Sequence, residues 1–553
     1  MALNNYPIAS LRKRQHVADV GTEYIGLHYV FGADLTRISN LSFVEDDVIA
    51  YISGAVVVFQ NIVSGQKEYL LGIDESGIGC ITIHPSRTKF AVGGRGYQPN
   101  IYIYDYPSKN VIRILKNGTE RAYASLSFNE TGDKLASVGS FPDYMLTTWD
   151  WEMERIILHC KAFGQDVFSV RFSQDDERRL VTSGTGHIRF WKMVATFTGQ
   201  KLQGSIGKFG KIELSDIVAF VELPDGKVVS GTESGSLLLW EGNFIKCRFV
   251  NVDGSLCHKG SINHIDLDRD AGCVLSAGAD GYMRWWSFAV IDSAEVDSDQ
   301  TMDFPLVLVN EYFIGNGCGI RSFIYESLSD QTRFVIHDTS GRLLLVTYDS
   351  STHRVNNSRG IPSNSSVEAL ELFPSGVITA VDVSPVMHIA ATAGRDGAIR
   401  LWDYINRTEL FCRMFSSPVT CLSWGSRAVD QNGRTIVAGF ADGIVRVFQM
   451  FKKRNNVDEQ EEKDTFELYN RMLFKPHTAP LTDVSYSLDG KVCLTASEDG
   501  TVFIFDMTTA EDYGTYTPLR FFKVSEVSSV YCRKLSWRNG MSRNLICSCS
   551  DGV

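Results

Sequence analysis

AGADGYMRWW (277–286) holds the end of one hydrophobic strand, a turn of small residues, and a second strand that closes on an aromatic residue. The same order returns in SGTGHIRFW ending at Trp191, GTESGSLLLW at Trp240, AGRDGAIRLW at Trp402, AGFADGIVRVF at Phe448 and ASEDGTVFIF at Phe505. Less regular copies end at Phe59, Tyr104, Trp149 and around Tyr348. From Phe59 to Trp286, neighbouring closing aromatics lie 45, 45, 42, 49 and 46 residues apart. A period of about 40–45 residues with four strands per unit is that of WD-type propeller blades. The chain is therefore expected to be all-β, built of tandem β-propellers, a class that displays surfaces far more often than it performs catalysis.

The turn residues agree. Asp280-Gly281, Asp396-Gly397, Asp442-Gly443 and Asp499-Gly500 suit the two-residue type I′ turn, in which both central residues take positive φ. The strand that follows alternates, as in Thr501-Val502-Phe503-Ile504-Phe505, placing bulky side chains on the faces between blades. Ten such units are readable, and an eleventh starts near Val530. Propellers typically close at about four to eight blades, so eleven imply two rings. The expected division is a tail over 1–23, a first seven-bladed ring over 24–350, a linker over 351–367 and a second ring over 368–553. The linker lies within DSSTHRVNNSRGIPSNSSVE (349–368), which is rich in Ser, Asn and turn formers. The acidic insertion 290–304 and the basic-to-acidic insertion 452–467, acidic from 456, read as solvated loops. The last residues, CSDGV (549–553), reach one residue past an Asp-Gly turn, so the second ring is expected to be incomplete within this sequence.

Composition narrows the function. At 553 residues with 44% hydrophobic content and 47 glycines, the chain suits two turn-rich β domains. A net charge of −11 argues against general attraction to nucleic acid or to an anionic membrane. The first twenty residues carry Arg12-Lys13-Arg14 and no apolar run that reads as a secretory signal. No stretch has the length and apolarity of a membrane span. The twelve cysteines are scattered without a Cys-x-x-Cys pair, as in a reducing compartment.

Candidate chemistry centres on a repeated polar set. In blade six His258 precedes the first strand, Ser276 lies in the second, Asp280 in the turn and Trp286 at the end of the third. Blade ten offers His477, Thr495, Asp499 and Phe505, and Thr392, Asp396 and Trp402 repeat part of the set. A Ser-His-Asp grouping invites comparison with a catalytic triad. Its recurrence at fixed offsets instead indicates a buried relay in which Asp orients His and His reaches the hydroxyl. GSIGKFGK (204–211) fails as a phosphate loop, because neither Lys208 nor Lys211 is followed by Ser or Thr. GNGCG (315–319) precedes blade strands rather than a helix that could receive a pyrophosphate. No metal-ligand spacing appears, and no catalytic, cofactor-binding or metal residue is assigned.

Several segments go beyond generic blades: VFGADLTRISNLSFVEDDVIAYISGAVVVF (30–59), GTERAYASLSFNETGDKLASVGSFPDYMLTTWDW (118–151), KAFGQDVFSVRFSQDDERRLVTSGTGHIRFWKMVATFTGQKLQGSIGKFG (161–210), ELPDGKVVSGTESGSLLLWEGNFIK (222–246) and IVAGFADGIVRVF (436–448). Together they resemble the WD-repeat part of the cilia- and flagella-associated protein 44 family. The resemblance implies a non-enzymatic scaffold of the ciliary or flagellar axoneme, within the tether and tether-head assembly that links an inner-arm dynein to the doublet microtubule. It also implies tubulin and a paralogous WD-repeat ciliary protein as partners, and a coiled-coil region following the propellers. No nucleic acid, membrane or cofactor is implied. The alternative is a vesicle-coat subunit, in which two propellers precede a helical solenoid.

Overall fold

A computed structural model of the chain describes residues 27–551 except 36, 38–39, 73–76, 198, 296–301, 316, 328–330, 350–353, 356–367, 454–464, 508–514, 526–529 and 538–544. The expected tail over 1–23 and most of the linker over 351–367 lie outside the described residues. The chain divides into two compact units, Met1–Phe373 and Pro374–Val553.

Among the described residues, the first unit holds seven antiparallel sheets of four principal strands. Blade six shows the plan: Ile262–Asp268, Cys273–Gly278, Tyr282–Ser287 and Leu308–Phe313 run from the innermost strand to the outermost. Cys273–Gly278 is buried at every position because blades cover both of its faces. Strands enclosed in this way read as continuous apolar or small-residue runs rather than as alternating ones. A buried apolar cluster fills each space between consecutive blades. Ile52, Phe59, Phe90 and Tyr102 fill the first, and Leu238, Trp240, Val181 and Ile188 that between blades four and five. The ring closes where Leu41, Tyr51 and Val58 of blade one meet Val335, Leu343 and Phe373.

That seam moves the domain boundary. Glu368–Leu372 pairs antiparallel with Arg342–Asp349 as the outer strand of blade seven, and does not open a second ring at 368. Phe373 is 2% exposed and packs on Tyr51, with ring centroids 5.4 Å apart. Glu371 accepts from Gln60 Nε2 at 3.0 Å and pairs with Lys67 Nζ at 2.6 Å. Blade seven takes its last strand from beyond the polar insertion, so the first unit ends at Phe373 rather than 350.

The two insertions also differ from solvated loops. Residues 288–292 form a short helix whose Ile291, with Ala294 just after it, is buried between blades five and six. Asp303–Leu306 lies parallel against Phe244–Asn251 of blade five, and Asp303 receives both Nε and Nη2 of Arg248, at 2.7 and 2.8 Å. Apolar residues inside the acidic segment, Ile291 and Phe304 among them, draw it onto the blades. In the other insertion, 452–453 and 465–467 continue the paired strands Val445–Lys453 and Thr465–Phe474, and 454–464 lies outside the described residues.

Among the described residues, the second unit has three four-stranded sheets, blades eight to ten, and a two-stranded sheet of Cys532–Trp537 and Leu545–Cys549. No helix among the described residues is long and apolar enough to cross a membrane.

Candidate functional site

The Asp-Gly hairpin of blade six positions its polar set. Asp280 Oδ1 accepts the Tyr282 N–H at 3.2 Å, which shapes the turn. Gly281 follows at φ 77°, and a Cβ there would strike the Cys318 carbonyl. From this fixed point the chain of bonds runs inward. His258 Nδ1 meets Asp280 Oδ1 at 3.0 Å and His258 Nε2 meets Ser276 Oγ at 2.7 Å. Trp286 Nε1 donates to Ser276 Oγ at 2.8 Å. The assignment that satisfies all of these has His258 neutral, donating from Nδ1 and accepting at Nε2. Asp280 Oδ2 also receives the Lys259 N–H at 3.1 Å and Arg284 Nη1 at 2.8 Å. Burial pushes the His258 imidazole below its ordinary value against the pull of Asp280. Burial raises the Asp280 carboxyl, but the His258 and Arg284 contacts outweigh it and hold the group below the usual carboxylate range.

Blade ten assembles the same core with a different end. His477 Nδ1 lies 3.1 Å from Asp499 Oδ2 and Nε2 lies 2.8 Å from Thr495 Oγ1. Asp499 also accepts from the Thr478 and Thr501 N–H groups, at 3.1 and 2.9 Å. Phe505 is buried but has no N–H to offer Thr495. In blade eight Trp402 Nε1 donates to Thr392 Oγ1 at 2.9 Å, yet no histidine joins Thr392 to Asp396. Pro374 occupies the histidine's place, four residues before the strand that starts at Ile378. Asp396 accepts instead from the Ser375 N–H at 3.2 Å and its hydroxyl at 3.0 Å.

The indole–hydroxyl half of the relay extends to blades that the sequence reading passed over. Trp149 donates to Ser137, Trp191 to Thr182 and Trp240 to Ser230, at 2.8, 2.9 and 2.8 Å. A signal was present: Ser or Thr stands ten residues before Trp240, Trp286 and Trp402. A second set of bonds joins the inner strands of neighbouring blades. His264 Nδ1 accepts the Phe323 N–H at 3.0 Å, and Asp382 and Asp483 accept the Trp424 and Leu535 N–H groups at 2.7 Å. Burial pushes the His264 imidazole down to about 3, with the nearby Arg171 charge adding to the effect. Glu222, at the end of the inner strand of blade five, accepts from Ser173 Oγ of blade four at 2.8 Å. Its other oxygen is buried without a hydrogen-bond partner, and burial pushes the carboxyl up to about 7. Nothing in the repeat pattern marked these residues.

The inner strands of the first unit enclose a cavity of about 680 Å³ lined by Arg37, Thr82, Ser127, Ser169, Arg171 and Gln174 among others. His258 and Ser276 are 0–1% exposed, so the blade-six relay does not open to it. Among the described residues no group of three or more His, Cys, Asp or Glu is placed to hold a metal ion. All twelve cysteines are free thiols.

Comparison with known proteins agrees with this architecture. Residues 66–309 match the family of the echinoderm microtubule-associated protein first beta-propeller. Residues 370–403, 411–449 and 469–506 match the WD domain, G-beta repeat. The first of these begins inside Glu368–Leu372, so the sequence repeat starts one strand before the sheet that it goes on to build. The chain is similar to cilia- and flagella-associated protein 44 of Mus musculus, 40% identical over 90% of this chain and 26% of that protein. The Chlamydomonas reinhardtii protein of that name is 38% identical over 88% of this chain and 27% of its own length. The Trypanosoma brucei brucei protein is 32% identical over 92% and 29%. The chain thus spans about a quarter of the length of these curated relatives.

Proposed function

From the premise that this chain belongs to the cilia- and flagella-associated protein 44 family, we propose that it is a non-enzymatic scaffold of the ciliary or flagellar axoneme. The observation that carries the proposal is 40% identity sustained over 501 residues, well beyond the hairpins that any WD repeat shares. The finer role is that of a tether or tether-head component holding an inner-arm dynein to the doublet microtubule, beside a paralogous WD-repeat protein. Propeller architecture supports such a role physically. A ring of interlocked sheets holds many loops in fixed positions, and rigidly held loops carry binding specificity. The relays belong to that rigidity: each ties a turn, an incoming loop and two strands into one buried network.

The test is to tag the protein at its own locus in a motile ciliated cell. The tag is expected along the axoneme, retained after detergent extraction, and its loss is expected to change waveform or dynein placement. A tag that instead marks Golgi membranes, with loss impairing secretion, would overturn the scaffold reading in favour of a coat subunit.

A further inference from the structure

Three connections of the first ring, 95–100, 116–122 and 140–144, are bonded side by side. The Gly96 N–H donates to the Arg121 carbonyl at 2.7 Å and the Gln98 N–H to the Glu120 carbonyl at 2.8 Å. The Ser140 N–H donates to the Ala122 carbonyl at 2.9 Å. Asp143 accepts from the Glu120 N–H at 3.0 Å and from Thr119 Oγ1 at 2.8 Å. Beneath them Gly118 sits so close to the core that a Cβ would lie 2.5 Å from the Tyr123 hydroxyl and 2.6 Å from the Trp149 ring. Gln98 holds φ of 48°, a backbone region uncommon for a residue of its type. These loops are set before any partner arrives.

They display exposed aromatics and exposed cations together. Tyr97 is 76% exposed and Phe141 69% exposed. Arg95, Lys116 and Arg121 are exposed and make no ion pair among the described residues. The acids on the same loops are Glu120 and Asp143, and Asp143 is occupied by its two donors. A chain of net charge −11 therefore carries here a rigid cluster of unpaired cations interleaved with uncovered aromatics. Aromatic residues and Arg are enriched where protein interfaces concentrate their binding energy, and rigid loops lose little freedom on docking.

We propose that this platform, at the junction of blades two and three, docks an acidic protein segment. Arg95, Lys116 and Arg121 would receive its carboxylates, and Tyr97 and Phe141 its apolar side chains. Nucleic acid fits less well, because a polyanion draws its affinity from many phosphate contacts and the remaining surface of this acidic chain repels it. The inference does not depend on the axonemal reading, since it names a partner chemistry and not a location.

The test is fluorescence anisotropy on the full 553-residue chain, with a short labelled peptide of glutamates and leucines and with its glutamine counterpart as probes. Binding of the glutamate peptide is expected to weaken with salt, and the glutamine peptide to bind roughly tenfold more weakly or worse. Joint replacement Arg95→Ser and Arg121→Ser, and separately Tyr97→Ala, should each lower affinity by roughly tenfold. Because these side chains are exposed, melting temperature should not move. No binding of the glutamate peptide, equal binding of the two peptides, or affinity unchanged by the substitutions would overturn the proposal. So would an RNA oligonucleotide or a phosphatidylserine vesicle that binds more tightly at the same residues.

Discussion

Blade six and blade ten start from the same His, hydroxyl and Asp and finish differently. In blade six the indole of Trp286 closes the network on Ser276, and Arg284 adds a buried cation to Asp280. In blade ten Phe505 fills the indole's place without a donor, and Thr501 supports Asp499 through neutral bonds alone. Blade eight keeps the complementary portion, with Trp402 bound to Thr392 and no histidine between Thr392 and Asp396. The network therefore consists of two separable parts. Its carboxylate end fixes the turn and the loop entering the first strand, while its indole end ties the second strand to the third.

If the two parts are separable, removing the carboxylate should cost blade six more than blade ten. Asp280→Ala strands a fully buried imidazole and a guanidinium whose side chain is 14% exposed. Truncating one partner of a buried charged pair costs about 3–5 kcal/mol. Asp499→Ala strands a histidine and backbone N–H groups near the surface, a loss of roughly 1–3 kcal/mol. Urea denaturation of both variants checks the order. Equal losses would mean that Arg284 contributes nothing and that the two blades are energetically alike.

Trp286→Phe sharpens the comparison by making blade six end as blade ten does. The Ser276 hydroxyl keeps His258 and loses only the indole donor, so the expected destabilisation is about 1 kcal/mol, much of it from the lost hydrogen bond. A loss as large as that of Asp280→Ala would show that the network acts as a single unit.

The blades themselves were legible in the sequence because their turns and closing aromatics obey local rules. Asp-Gly marks the turn, although only its glycine takes positive φ, 77° at Gly281, where a type I′ turn would need it at Asp280 as well, and an aromatic at the end of the third strand demands a neighbour's face. The relay was legible for the same reason in blades six and ten, where every partner is a distinctive residue at a fixed offset. It faded where another residue took the place that the pattern reserves for His, as at Thr119, Phe163, Pro374 and Phe415. The seam was harder to see. Glu368–Leu372 sits beside the second unit in sequence but in blade seven in space, and only pairing with Arg342–Asp349 reveals this. Charge misled at 290–304, where five acids are interspersed with apolar residues and Ile291 and Phe304 pack against the blades. Bonds between blades, such as Asp382 to Trp424, join residues about one repeat apart and leave no local trace.

Acid should distinguish the relays from the junction of blades four and five, with the smallest effect of the set. Burial holds His258 and His477 below the ordinary imidazole value, so in the folded chain they resist a proton that the unfolded chain accepts near pH 6.5. Wherever the unfolded state binds more protons, stability falls as pH falls. The relays should therefore weaken the fold below about pH 6.5, and Asp280 and Asp499, both held below the usual carboxylate range, should extend the loss below about pH 4. Glu222 has the opposite sign. Its folded carboxyl keeps a proton up to about pH 7, which an unfolded glutamate releases near 4.5, so its contribution declines as pH rises between those values and is level above them. Asp175 and Asp176 add to the rise and Arg179 opposes it, while Asp225 and Lys227 in the following turn pair with each other. Because Glu222 is only half-buried, the change should be smaller than that of any relay truncation. Glu222→Gln removes the titrating group and keeps the shape. Urea midpoints measured from pH 7 down to pH 5 should then fall more steeply than in the parent, because the opposing Glu222 contribution is gone. A variant with the same slope as the parent over that range would place the responsible group elsewhere.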